Sequence, residues 1–297
     1  MSTQFFPFPT PSFPRLLWIE WRKLRGRMLF WGMAAILFLL VAGLHLLLIS
    51  ALQHPQGKDM PPQMIDTLRQ GLMWPAGVGS GLSFVSGGGL GGMLVIILVG
   101  AFMAQEYSWR SLQLLLSRGV RRLHFLLAKF TVLSAAMFAL TLVAFLAGAA
   151  VTAGYTIHAH GTLPWDQVAW GTLWRQSVIV FYSLLPYAAF TLLIAILARS
   201  PLVAVGVGLG YSLLVEGLLL QLLSMLSQRA AAIAAYFPAM LGQSLLQSQQ
   251  TQVDIQIGMA SAPDNLLSAP TAAILLGIYT LLALTLAWLA FQRQDLI

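Results

Sequence analysis

Apolar positions along this chain gather into six long runs that contain no Lys, Arg or Asp. They cover Leu29–Leu52, Leu82–Gln105, Phe130–Gly154, Gln176–Ala198, Leu202–Ser224 and Thr271–Phe291. A helix of about 20 such residues is long enough to cross the hydrocarbon core of a bilayer. In lipid every backbone N–H and C=O must find a partner within its own segment or within a closed barrel. Barrel strands alternate apolar and polar residues over about ten positions. These runs are twice that length and apolar on every side. The pattern predicts an all-α polytopic membrane protein with six transmembrane helices. Residues 1–28 form an N-terminal arm with an interfacial elbow, and residues 29–297 form the six-helix domain.

The segments between the runs carry their own patterns. Met1–Pro14 has Pro at positions 7, 9, 11 and 14, which excludes a continuous helix. From Arg15 to Arg27, Leu17, Trp18, Trp21 and Leu24 recur at helical spacing beside Arg15, Arg22, Lys23 and Arg25. That predicts an amphipathic elbow helix with its Trp rings at headgroup level. Either it anchors the chain only, or it also touches a cytoplasmic partner. The segment Gln53–Gly81 reads as a loop that runs into a Gly-rich stretch, Gly77 to Gly92. No Gly-Lys-Ser/Thr follows those glycines, so they are no phosphate-binding loop; close packing of helices through small residues is the expected meaning. In the loop from Glu106 to Lys129, Leu112, Leu115 and Leu116 stripe a short helix that Gly119 stops, and Arg118, Arg121 and Arg122 cluster at its end. Phe237-Pro-Ala-Met-Leu-Gly-Gln-Ser-Leu-Leu is apolar but too short to span, which predicts a re-entrant or interfacial helix.

Composition agrees with a lipid solvent: 58% of residues are hydrophobic, 8% are charged, and mean hydropathy is +0.80. The formal charge of +7 is explained by position. Arg15, Arg22, Lys23, Arg25, Arg27, Arg110, Arg118, Arg121, Arg122, Lys129, Arg199 and Arg293 fall on one side of the predicted membrane. Only Lys58, Arg69, Arg175 and Arg229 fall on the other. Basic residues mark the cytoplasmic side, so both termini are expected in the cytoplasm. Anionic headgroups account for the basic excess, and nucleic acid is not an expected partner. The chain has no cysteine, which excludes disulfides and thiolate metal sites. It has no signal-peptide pattern at its start.

Glu216 is the only acid within a predicted span, where a charge must be neutralised, paired or wetted. At 1.5 Å per residue it lies about 21 Å along span five, and His45 lies about 24 Å along span one. Three readings stand: two isolated polar residues, a His45–Glu216 pair holding spans one and five, or a contact for substrate or proton. The third would suit an ion- or proton-coupled secondary transporter. An intramembrane hydrolase would need an activated serine, and His45 is the only base available to Ser80, Ser83 or Ser86. His158 and His160 read as a solvated loop, and the twelve methionines as packing and lipid-facing residues.

The order of four features resembles the permease subunit of an ABC-2 type transporter, near the bacitracin- and sodium-export-like permeases. These are the basic elbow Trp18-Ile-Glu-Trp-Arg-Lys-Leu24, the Glu106…Leu-Leu-Leu…Arg121/Arg122…Lys129 loop, the re-entrant stretch, and the tail Phe291-Gln-Arg-Gln-Asp295. Gly119 stands where relatives often have Pro. The resemblance implies an exporter of hydrophobic or amphipathic substrates, such as peptides or antibiotics, in the bacterial inner membrane. It further implies a second permease copy, most simply a homodimer, and a separate cytoplasmic ATPase subunit that binds ATP and Mg. No cofactor is expected in this chain. The loop helix around Trp109 to Arg118 would then couple to that ATPase. Glu106, Trp109, Arg110, Leu112, Leu115, Leu116, Arg118, Arg121 and Arg122 are the implied coupling residues, and Trp18, Trp21, Arg22 and Lys23 the interfacial ones.

Overall fold

The computed structural model describes residues 12–53, 62–108, 121–220, 222, 228–248 and 266–294, and every regular element among them is helical. The elbow forms as α1 (Phe13–Arg25), two residues earlier than its pattern suggests. Pro14 sits in its first turn, where a missing N–H is tolerated. Arg22, Lys23 and Arg25 occupy its last turn, where cations complement the helix dipole. Leu16, Glu20 and Leu24 make its buried face, while Trp18 and Trp21 are exposed. α2 (Met28–Gln53) follows. It buries one seam only: Phe30, Met33, Leu37, Val41, His45 and Ile49.

Two expectations fail in the next stretch. The segment read as a loop contains α3 (Pro62–Leu72) and most of α4 (Ala76–Phe84). The second apolar run is also not one helix: α4 ends at Phe84 and α5 (Leu90–Ser108) begins after a break. Three consecutive glycines, 87 to 89, fall in that break, and each costs a helix about 1 kcal/mol relative to Ala. The Gly87 N–H donates to Ser183 Oγ at 3.0 Å. A Cβ at Gly87 would stand 2.4 Å from the Ser183 carbonyl oxygen, so only glycine permits this approach of the two backbones.

α6 (Arg122–His160) has 39 residues, about 58 Å at 1.5 Å each. It starts eight residues before the predicted span and ends six after it, absorbing Arg122 to Lys129 from the expected loop. Gly161, at φ 74°, closes it by donating its N–H to Ile157 O at 2.8 Å. A short 3-10 turn (Trp165–Gln167) leads to α7 (Trp170–Ala198), which contains Pro186. α8 (Pro201–Gly210) passes directly into a π-helical segment, Tyr211–Leu219, a winding that the sequence pattern does not foretell. The expected short helix appears as α10 (Pro238–Gln247), preceded by α9 (Gln228–Ala234). α11 (Ala269–Gln292) is the last helix among the described residues.

Among the described residues five helices are long and apolar enough to cross a membrane: α2, α6, α7, α8 with its π segment, and α11. α5 offers a shorter apolar stretch, Leu90–Met103. α7 is the hub: 61% of its apolar window is buried, against 28% for α2 and α11, and α5, α6, α8, α10 and α11 all pack on it. α5 and α8 touch through Gly100, beside Val205, and Gly208, beside Ile96. The outer faces of α2, α8 and α11 expose Leu39, Leu47, Leu202, Leu214, Ile274 and Leu281. A helix apolar all round but buried on one seam suits lipid on its remaining sides.

Candidate functional site

The face of α1 that carries Leu16 and Leu24 also carries Glu20, one turn from each. This acid packs against the end of α5 and the start of α6, where it meets Glu106 and Lys129. All three are buried, with Lys129 at 0% exposure. The Lys129 ammonium donates to Glu20 Oε2 at 2.8 Å and to Glu106 Oε1 at 2.7 Å. Lys23 donates to Glu20 Oε1 at 2.7 Å and to Glu106 Oε1 at 3.2 Å. Two carboxylates and two ammoniums therefore alternate around a square built from three helices. Lys129 also lies 4.0 Å from the centre of the Phe102 ring, and the Arg27 guanidinium lies 4.4 Å from the same ring. Burial works against the charged form of Lys23, but Glu20 and then Glu106 outweigh it and hold the ammonium above its ordinary value.

The same end of the bundle is stitched again nearby. The Arg122 guanidinium donates to the carbonyls of Phe291 (2.6 Å), Gln292 (2.7 Å) and Gln294 (3.0 Å), capping α11. Gln294 Nε2 donates to Ile196 O at 2.6 Å, tying in the end of α7. Arg121 lies just outside α6 as its N-terminal flank. Trp109, Arg110, Leu112, Leu115, Leu116 and Arg118 lie outside the described residues.

His45 and Glu216 each have their own partners, and the structure does not join them. His45 is fully buried. Its Nδ1 lies 2.8 Å from Val41 O, and its Nε2 lies 3.0 Å from Gly77 O and 3.2 Å from Ser80 Oγ. It thus fastens α2 to α4. Ser80, the serine nearest this base, also donates to Gly77 O at 2.9 Å.

Glu216 lies in the π segment and faces α7 and α10. Tyr187 donates its hydroxyl to Oε2, Tyr211 to Oε1 at 3.0 Å, and the Ala239 N–H reaches Oε1 at 3.4 Å. Tyr211 and Glu216 are five residues apart. At 3.6 residues per turn that spacing puts side chains about 140° apart; a π-helix, bonded i to i+5, brings them together. Among the described residues no Lys or Arg pairs with this carboxylate. Beside it, Pro186, Tyr187, Phe190, Tyr211, Tyr279 and Ala283 help to line a cavity of about 240 Å³.

Sequence reasoning missed Glu20, Tyr187 and Tyr211. Glu20 had a signal: it interrupts an otherwise apolar stripe at 16, 20 and 24. The tyrosines had none, because their roles depend on the π winding and on contacts across α7.

A family model described as Protein of unknown function (DUF2705) matches residues 90–297. The chain belongs to that family. No curated protein matches the chain.

Proposed function

We propose that this chain is the transmembrane permease subunit of an ATP-binding-cassette exporter that moves hydrophobic or amphipathic molecules, peptide- or drug-like, with energy from a separate ATPase. The observation that carries the reading is the buried square of Glu20, Lys23, Glu106 and Lys129. Two of its members, on α5 and α6, bracket the 109–120 segment, and the other two belong to α1. Movement of that segment would act on α1, α5 and α6 together, because these ion pairs join the three helices. The chain itself contains no Walker A motif, so ATP and Mg belong to the partner.

In this reading α4 and α5 together supply a sixth crossing, and both termini face the cytoplasm of a bacterial inner membrane. α1 lies at the headgroups with Trp18, Trp21 and Arg22 in the lipid interface, and a second copy completes the path.

The test is purification of the tagged chain from its own membrane, followed by reconstitution in vesicles. An ATP-hydrolysing subunit is expected to co-purify, and transport to require ATP. Transport that persists without ATP and collapses with the proton gradient would overturn this reading in favour of a secondary transporter working through Glu216.

A further inference from the structure

We propose that the cavity between α7, the π-helical segment and α11 is a binding site for the head of an organic cation, a quaternary or tertiary ammonium carried on an apolar body. Three features support this. The first is charge. Glu216 is 5% exposed, its three hydrogen-bond donors are two hydroxyls and one backbone N–H, and no cation among the described residues pairs with it. An acid so held keeps its oxygens fixed, and no cation among the described residues cancels the charge it carries when ionised. In a low-dielectric surround that charge acts over several ångströms.

The second feature is the wall. Tyr187 and Tyr211, the two hydroxyl partners of Glu216, both line the cavity, as do Phe190 and Tyr279. Four aromatic rings present the kind of surface that attracts an ammonium through the ring quadrupole. The remaining lining is Pro186, Leu193, Pro238, Leu282, Ala283 and Leu286, with no basic residue. The site thus combines aromatic contact with an acid held behind two of its rings, Tyr187 and Tyr211.

The third feature is access. Tyr279, Leu282 and Leu286 are exposed on the outer, lipid-type face of α11, whereas Ala283 is buried. The cavity opens sideways, about 17 Å along α7 from its Ala198 end by helical rise. At about 240 Å³ it is smaller than the roughly 300–1,000 Å³ of sites that enclose a whole drug-sized ligand. It therefore takes the ammonium end of an amphiphile, and the apolar remainder runs out along the exposed leucines. Pro186, which interrupts the α7 hydrogen-bond ladder at this level, is part of the lining. Binding there does not depend on what drives the chain, so its failure and that of the exporter reading are separable.

The test compares benzyltrimethylammonium with neopentylbenzene, its uncharged isostere, by equilibrium binding to the full chain in nanodiscs, with empty nanodiscs subtracted. The cation is expected to bind about tenfold more tightly, and Glu216→Gln to remove that preference. Ala283→Phe, which fills the cavity without touching the carboxylate, is expected to abolish saturable binding of both. Equal affinity for the two probes, or a preference that survives Glu216→Gln, overturns the proposal. If Glu216→Gln does not assemble, Ala283→Phe decides alone: retained cation binding overturns the site, and lost binding supports it.

Discussion

The two places where this chain buries carboxylates are built on opposite principles. At the α1 end, Glu20 and Glu106 share two ammoniums, with Arg27 close by, so both carboxylates are matched by cations. Beside the π segment, Glu216 is held by neutral donors only. Burying an ion pair is expensive, and its Coulomb gain returns that expense only when geometry and hydrogen bonding are good. The square meets this condition by letting each ammonium serve both acids, so that it has no charge left over for a ligand. The Glu216 shell fixes orientation without cancelling charge, and it borders a cavity. The first arrangement is suited to joining helices and the second to receiving something.

The largest effect should come from breaking the square. Lys129→Met takes away the fully buried ammonium and leaves the two buried carboxylates to the partly exposed Lys23 and the neighbouring Arg27. Removing one partner of a buried ion network costs about 3–5 kcal/mol, and denaturant unfolding in detergent should register that loss. Neutralising all four members together (Glu20→Gln, Lys23→Met, Glu106→Gln, Lys129→Met) should cost less, because no carboxylate is left stranded and only the half-buried Arg27 loses its acidic neighbours. If the quadruple variant is as unstable as Lys129→Met, the square is not the self-contained unit described.

A smaller effect is expected at Glu216. Tyr187→Phe deletes one hydroxyl donor and little else, and a hydrogen bond to a charged group is worth about 1.5–3 kcal/mol. Tyr211→Phe should cost less, because Tyr211 is only half-buried. Reversal of that order in thermal melts would mean that the two tyrosines do not share the carboxylate as their geometry implies.

The two regions also differed in how far the sequence exposed them. Lys23, Glu106 and Lys129 stood out because charges at the edge of apolar runs are conspicuous. Their mutual contact did not, since it spans separations of 83 and 109 residues. Depth arithmetic put His45 and Glu216 at similar levels, but depth carries no information on direction: His45 turns toward α4 and Glu216 toward α7 and α10. The six apolar runs predicted helices correctly in kind, and they located α2 and α11 to within two residues at each end. The run that failed was the second, where hydropathy stays high through three glycines that a helix tolerates poorly. Hydropathy measures affinity for lipid and is blind to backbone continuity. For the same reason it could not see the π winding, on which the Tyr211–Glu216 contact depends.

Lys23 gives the smallest and most specific prediction. It is the one partly exposed member of the square, at 30% side-chain exposure, so screening by solvent limits its pairs to about 1 kcal/mol. Its ammonium is held above the ordinary lysine value of 10.5 despite burial, because Glu20 and Glu106 favour the charged form. A group whose folded value is raised stabilises the fold fully below its unfolded value, and the stabilisation fades as pH rises through the folded one. The stability gap between wild type and Lys23→Met should therefore be flat from pH 7 to about 10 and should close above that range. A gap that instead widens with alkaline pH would mean that the Lys23 ammonium is disfavoured in the fold, and that its two contacts do not offset its burial.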